Sequence, residues 1–197
     1  MDIFDTEESI SLAINASYRG DKESAIRLLK SVIDNEPENA QAYFLLGAEY
    51  AELQLLHKAT SSMQKALQLQ PDMMIAVFQL AVIHLYMGDT ATMAQYTQRL
   101  TSEMMDGHYF HYFGQGLNAL ANENFTQALD DLSKGVTVNK ENPALNQYVE
   151  SIVNAVGKMN QPNTKSELLQ ENNKNNNKEI GRLNVLQLLE KYQDWSC

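Results

Sequence analysis

Apolar residues in this chain recur three or four positions apart with polar residues between them, which is the spacing of one helix face rather than of a strand. After Pro143, the residues Leu145, Val149, Ile152, Val153 and Val156 share one such face, Gln147, Glu150 and Asn154 point outward, and Gly157 is placed to end the helix. Near the C-terminus, the stretch IGRLNVLQLLEKYQDW puts Val185, Leu188, Leu189, Tyr192 and Trp195 on a second apolar face. Between these two helices lies QPNTKSELLQENNKNNNKE, with six asparagines and only Leu168 and Leu169 as large apolar residues. Such a segment buries too little surface to offset its ordering entropy, so residues 161–179 are predicted to be a flexible linker.

Upstream of Pro143 the helical pattern repeats with a period of 34 residues, most clearly from Ala40 to Met73. There, Tyr43, Leu46, Gly47 and Tyr50 are followed by Ala59, Met63, Ala66 and Pro71. One period earlier stand Ser9, Leu12, Ala13, Ala16, Ala25, Leu29, Val32 and Pro37. One period later stand Val77, Leu80, Ala81 and His84, with Met93 and Thr97 in slots that elsewhere hold a small and a bulky residue. One extra residue restores the phase for Tyr112, Gly116, Ala119, Ala128 and Leu132, where Gln115 replaces a leucine. Gly20-Asp21 and Gly88-Asp89 supply turn chemistry within the pairs, and Pro37 and Pro71 end their second helices. Small residues such as Gly47 and Ala59 let two antiparallel helices approach closely, and stacking the pairs buries a continuous core.

This spacing of aromatic, leucine, small residue, tyrosine, alanine, bulky residue, alanine and proline resembles the tetratricopeptide repeat. The resemblance implies an all-α fold, a right-handed α-solenoid of about four helix-turn-helix units with a capping helix and a tethered C-terminal helix. The expected layout is a solenoid over 1–160, with repeats at about 6–39, 40–73, 74–108 and 109–142 and a cap at 143–158. The linker at 161–179 and the amphipathic helix at 180–197 follow it.

In that family the first helix of each pair lines a concave groove that binds a peptide or helix. Carried over residue by residue, the groove slots here are Ile10, Ile14, Phe44, Leu45, Ala48, Ile75, Phe78, Gln79, Val82, Phe110, Phe113 and Leu117. The family's clamp for a C-terminal carboxylate uses lysine, asparagine and arginine in five of these slots. Here those five hold Ile10, Ile14, Leu45, Ile75 and Gln79, so a carboxylate clamp is not expected. Two readings of the remaining apolar positions stay open: packing on neighbouring helices, or an exposed binding surface with Phe78 and Phe113 as central anchors.

The 197 residues carry a net charge of −10, all of it in residues 1–162, where 20 acids face 10 bases; the remainder is neutral. This balance disfavours nucleic acid and anionic membrane as partners, because phosphate binding needs clustered Lys and Arg. It favours another protein, a basic or amphipathic segment held by helix-in-groove recognition. The start, MDIFDTEESI, shows no basic region or long apolar run, so neither a leader nor a membrane span is expected and the chain is read as cytoplasmic. Its one cysteine, Cys197, excludes a disulfide framework.

Little else suggests chemistry. His108 and His111 lie one turn apart, but His108 falls at a helix start and no acid follows one turn later, so no metal site is expected. His84 fills a tyrosine slot and is read as packed, and His57 as solvated. With no phosphate loop and no nucleophile motif, no catalytic residues and no cofactor are expected. The chain is therefore read as a non-enzymatic adaptor, scaffold or chaperone. The alternatives are a bacterial secretion-type chaperone for a membrane-inserting substrate, or a self-assembling subunit that uses its C-terminal helix. That helix, through Val185, Leu188, Leu189, Tyr192 and Trp195, is read as docking on its own chain or a sister chain, as a motif offered to a partner, or as a marginal helix without a role. Trp195 is the single tryptophan, so blue-shifted, quencher-protected emission is the expected sign of docking, and a fully exposed spectrum would refute it.

Overall fold

In a computed structural model the chain is described over residues 5–159. The described residues form helices joined by short turns: α1 (Thr6–Tyr18), α2 (Lys22–Asn35), α3 (Ala40–Glu52), α4 (Leu56–Leu69), α5 (Met74–Tyr86), α6 (Thr90–Ser102), α7 (Tyr109–Ala121), α8 (Phe125–Val138) and α9 (Pro143–Met159). The fold is all-α. It divides into two compact units with the boundary inside α5, between Leu80 and Ala81. The linker and the C-terminal helix expected at 161–179 and 180–197 lie outside the described residues.

One local rule recurs in the turns within the pairs. Gly20, Gln54, Gly88 and Glu123 all adopt left-handed backbone, with φ of 75°, 58°, 72° and 57°. Glycine reaches this region without steric cost, which is why it occupies two of the four sites. The residue after each is the N-cap of the next helix. Asp21 accepts from Ser24 N at 3.1 Å, Asp89 from Thr92 N at 3.1 Å and Asn124 from Gln127 N at 3.3 Å, each satisfying a backbone donor that the first turn leaves free. At α4 the same place is held by Leu55, which makes no side-chain cap.

In the first unit, α1 packs on α2, α2 on α3 and α3 on α4. Ala25, Ala42, Ala59 and Ala66 have no exposed surface, so the small-residue slots of the repeat are where backbones approach. Two polar links tie the first pair to the second. At one end the Thr6 hydroxyl donates to the Glu36 carboxylate, which also accepts from Asn39 Nδ2 at 3.1 Å; these two bonds hold Glu36 below the usual carboxylate range. At the other end Lys22 reaches Glu49 and Glu52 of α3.

In the second unit, α6 packs on α7, α7 on α8 and α8 on α9. Thr97 of α6 is fully buried, and its hydroxyl donates to Asn118 Oδ1 of α7 at 2.6 Å. His84, 8% exposed, stacks on Tyr96 and sets Nδ1 3.2 Å from the Asp89 carboxylate. His57 is exposed. Asn139, 1% exposed, joins α8 to α9, donating to Asn142 O and Asn146 Oδ1 while accepting from Glu141 N and Asn142 N. Leu145, Val149, Ile152 and Val156 of α9 are buried, whereas Gln147, Glu150 and Asn154 are exposed. Gly157 does not end α9, which continues to Met159. This glycine is not in the left-handed conformation that would turn the chain away.

Candidate functional site

The slots assigned to a groove fall differently in the two units. In the first unit Ile14, Phe44, Leu45, Ala48, Ile75 and Gln79 are half-buried, whereas Ile10 and Phe78 are buried. In the second unit Val82, Phe110, Phe113 and Leu117 are all buried, at 6% exposure or less. Helical phase accounts for the surface that α3 keeps. Gly47 faces α4, and at about 100° per residue Phe44, Ala48 and Leu45 are turned away from that contact by roughly 60°, 100° and 160°.

Phe78 and Phe113 therefore do not stand as open anchors, since neither has any exposed surface. For Phe113 the cause is local. A Cβ added at Gly135 of α8 would lie 2.3 Å from Phe113 Cε1, so the ring occupies the space that a side chain at 135 would fill. It also meets the rings of Tyr109 and Phe110 edge-on, with centroids 5.8 and 6.2 Å away. An Asp in place of either phenylalanine would put a carboxylate into packed interior and test folding, not binding.

Charge around the first unit is uneven. Residues 5–80 hold 11 acids against 6 bases. Asp5, Glu7, Glu8, Asp34, Glu36 and Glu38 flank the start of α1 and the α2–α3 turn, and residues 5–9 and 31–42 contain no Lys or Arg. At the opposite end Lys22 Nζ lies 3.2 Å from Glu49 Oε2 and also bonds the Glu52 carboxylate. The Glu49 contact is an ion pair without hydrogen-bond direction, because Oε2 has no hydrogen-bond partner. Burial raises Glu52 above the usual carboxylate range despite Lys22 beside it. Lys22 is raised in spite of its own burial, through the hydrogen bond and charge of Glu52 and the charge of Glu49. Sequence spacing gave no signal for this cluster, whose members lie 27 and 30 positions apart.

No group of three or more His, Cys, Asp or Glu among the described residues could hold a metal ion. His108 caps α7, its Nδ1 accepting from Phe110 N at 3.2 Å, and His111 contacts Thr101 O and Gln115, so each histidine is engaged in local structure. No helix among the described residues is long and apolar enough to cross a membrane. The tail face of Val185, Leu188, Leu189, Tyr192 and Trp195 lies outside the described residues.

A family model described as the tetratricopeptide repeat matches residues 40–73. No curated protein matches the chain. Among solved structures, MamA 41-end from Desulfovibrio magneticus RS-1 is 17% identical with a TM-score of 0.55, covering 96% of this chain and 97% of that one. YrrB, described as a TPR protein with an unusual peptide-binding site, is 17% identical with a TM-score of 0.54, covering 97% of this chain and 86% of its own. PilW, described as a widely conserved type IV pilus biogenesis factor, is 15% identical with a TM-score of 0.58, covering 95% and 90%. At these identities the likeness establishes a shared fold.

Proposed function

We propose, from the premise that this chain is a tetratricopeptide-repeat protein, that it is a non-enzymatic binding module, an adaptor, scaffold or chaperone in the cytoplasm, whose partner is a basic amphipathic segment of another protein. The observation that carries this reading is the surface kept by Ile14, Phe44, Leu45, Ala48, Ile75 and Gln79 in the first unit, where the equivalent slots of the second unit are closed. Apolar anchors contribute about 1.5–3 kcal/mol each when buried by a partner. The acids beside the start of α1 favour lysines or arginines on that partner and steer its approach. YrrB, which shares the fold, is described as having a peptide-binding site, and this supports a peptide-like ligand.

The test is a titration of the full chain with a labelled amphipathic peptide that carries leucines on one helix face and lysines on the other. Phe44→Asp with Leu45→Asp is expected to weaken binding more than about tenfold while circular dichroism keeps its helical form. Added salt is expected to weaken binding as well. Unchanged affinity in the double variant would remove the first-unit face from consideration.

A further inference from the structure

We infer that the edge of the first unit formed by the α1–α2 and α3–α4 turns is a self-association surface, which pairs with the same edge of a second copy of this chain. It is separate from the face carrying Phe44 and Leu45. The inference starts from a departure in local chemistry. Two turns within the helix pairs place glycine in the left-handed position and aspartate at the cap, and a third has Glu123 and Asn124 there. The α3–α4 turn instead reads Leu53-Gln54-Leu55, with Gln54 at φ 58° and Leu55 giving α4 no side-chain cap. Its backbone is ready for one, since φ and ψ are −84° and 57° at Leu55 against −83° and 71° at Asp21. A cap is forgone, and what stands in its place is exposed leucine.

Leu53 and Leu55 are 43% and 41% exposed, and Tyr18, the last residue of α1 before the neighbouring turn, is 64% exposed. Lys22 binds Glu52, so the two turns are held side by side and the three apolar side chains share one edge. Local rules are broken against stability mostly where a surface has another use.

Charge selects a second copy as the occupant. The edge carries exposed groups of both signs, Arg19 and Lys58 with Asp21 and Glu23. In a two-fold arrangement the cations of one copy meet the anions of the other around the apolar centre. Lys22 offsets one of the two carboxylate charges of Glu49 and Glu52. The opposite end of the same unit holds acids without bases, so two copies repel there. Three apolar side chains make a small interface, and the association is therefore weak and concentration-dependent.

Sedimentation equilibrium on the full chain, from about 10 to about 500 μM, reads the outcome in the range where a weak pair forms. The expected mass rises from 22.2 kDa towards twice that value. Leu55→Asp supplies the missing cap, so it is expected to raise the melting temperature while weakening association at least about tenfold. Leu53→Ser, which leaves the cap unchanged, is expected to weaken association too. A wild-type mass that stays at 22.2 kDa across the range overturns the inference and leaves the edge to a different protein. Association undiminished in both variants also overturns it. Neither variant touches Phe44 or Leu45, so peptide binding at that face is read independently.

Discussion

Lys22→Met is expected to destabilise the protein by about 3 kcal/mol at pH 7, seen as a fall of roughly 6–12 °C in melting temperature. Glu49 and Glu52 are 7% and 17% exposed in their side chains, and Lys22 is the cation both of them face. Removing it leaves two carboxylates with little access to water and with each other for company. The deficit should depend on pH in a definite direction. Burial already raises Glu52 above its ordinary value, so the folded state favours its protonated form, and stability from this group is lost as pH rises through the folded pKa. Without Lys22 the carboxyl rises further, so the deficit of the variant should shrink as pH falls towards 5. Lys22 itself is raised in the folded protein, and the wild type should keep this contribution below the ordinary lysine value and lose it in stronger alkali. Adding Glu49→Gln and Glu52→Gln to Lys22→Met should recover most of the loss, because the uncompensated charge is then gone. Thermal melts at pH 5, 7 and 9 decide the matter, and equal melting temperatures for wild type and Lys22→Met at pH 7 would mean that water already screens the cluster.

The same cluster shows what the sequence could and could not reveal. Slots set by the period were legible: Ala25, Ala59, Ala66 and Ala128 stand where close approach demands small side chains, and all four are fully buried. The period works because each pair repeats one packing problem. His84, in a tyrosine slot, packs on a ring as a tyrosine would. A pairing such as Lys22 with Glu49 and Glu52 obeys no local rule, since it joins the start of one helix to the end of the next and composition counts charges without pairing them. The groove assignment failed at Phe113 for a related reason. Helical phase gives the direction in which a residue leaves its helix, but the ring folds over Gly135, and that vacancy lies 22 residues further along the chain. Ile14, Phe44 and Leu45 keep part of their surface. The exposed Leu55 could have been found in the sequence, as a leucine in a cap slot that aspartate fills one period before and after.

Gly114→Val should produce the other large loss, about 3 kcal/mol or more. A Cβ at Gly114 would stand 2.9 Å from Leu100 Cβ, 3.0 Å from Thr101 Cγ2 and 3.2 Å from Thr97 O. Leu100 Cβ and the Thr97 carbonyl are fixed to the α6 backbone, so α6 and α7 must separate, and the 2.6 Å bond between Thr97 and Asn118 would stretch with them. Higher helix propensity offsets at most about 1 kcal/mol of that strain. Gly157→Ala provides the contrast: its nearest neighbour would be 4.0 Å away, so an added methyl is expected to be neutral or stabilising by about 0.5–1 kcal/mol. Hydrogen exchange should localise the damage, with faster exchange in α6 and α7 of Gly114→Val and unchanged exchange in α1 to α4. Because α7 carries Phe110, Phe113 and Leu117, loosening it opens the face that packing closes in the second unit. Binding of the amphipathic peptide should nevertheless persist in Gly114→Val if Ile14, Phe44 and Leu45 carry it. Binding that collapses with α7 while α1 to α4 remain protected would move the site to the second unit.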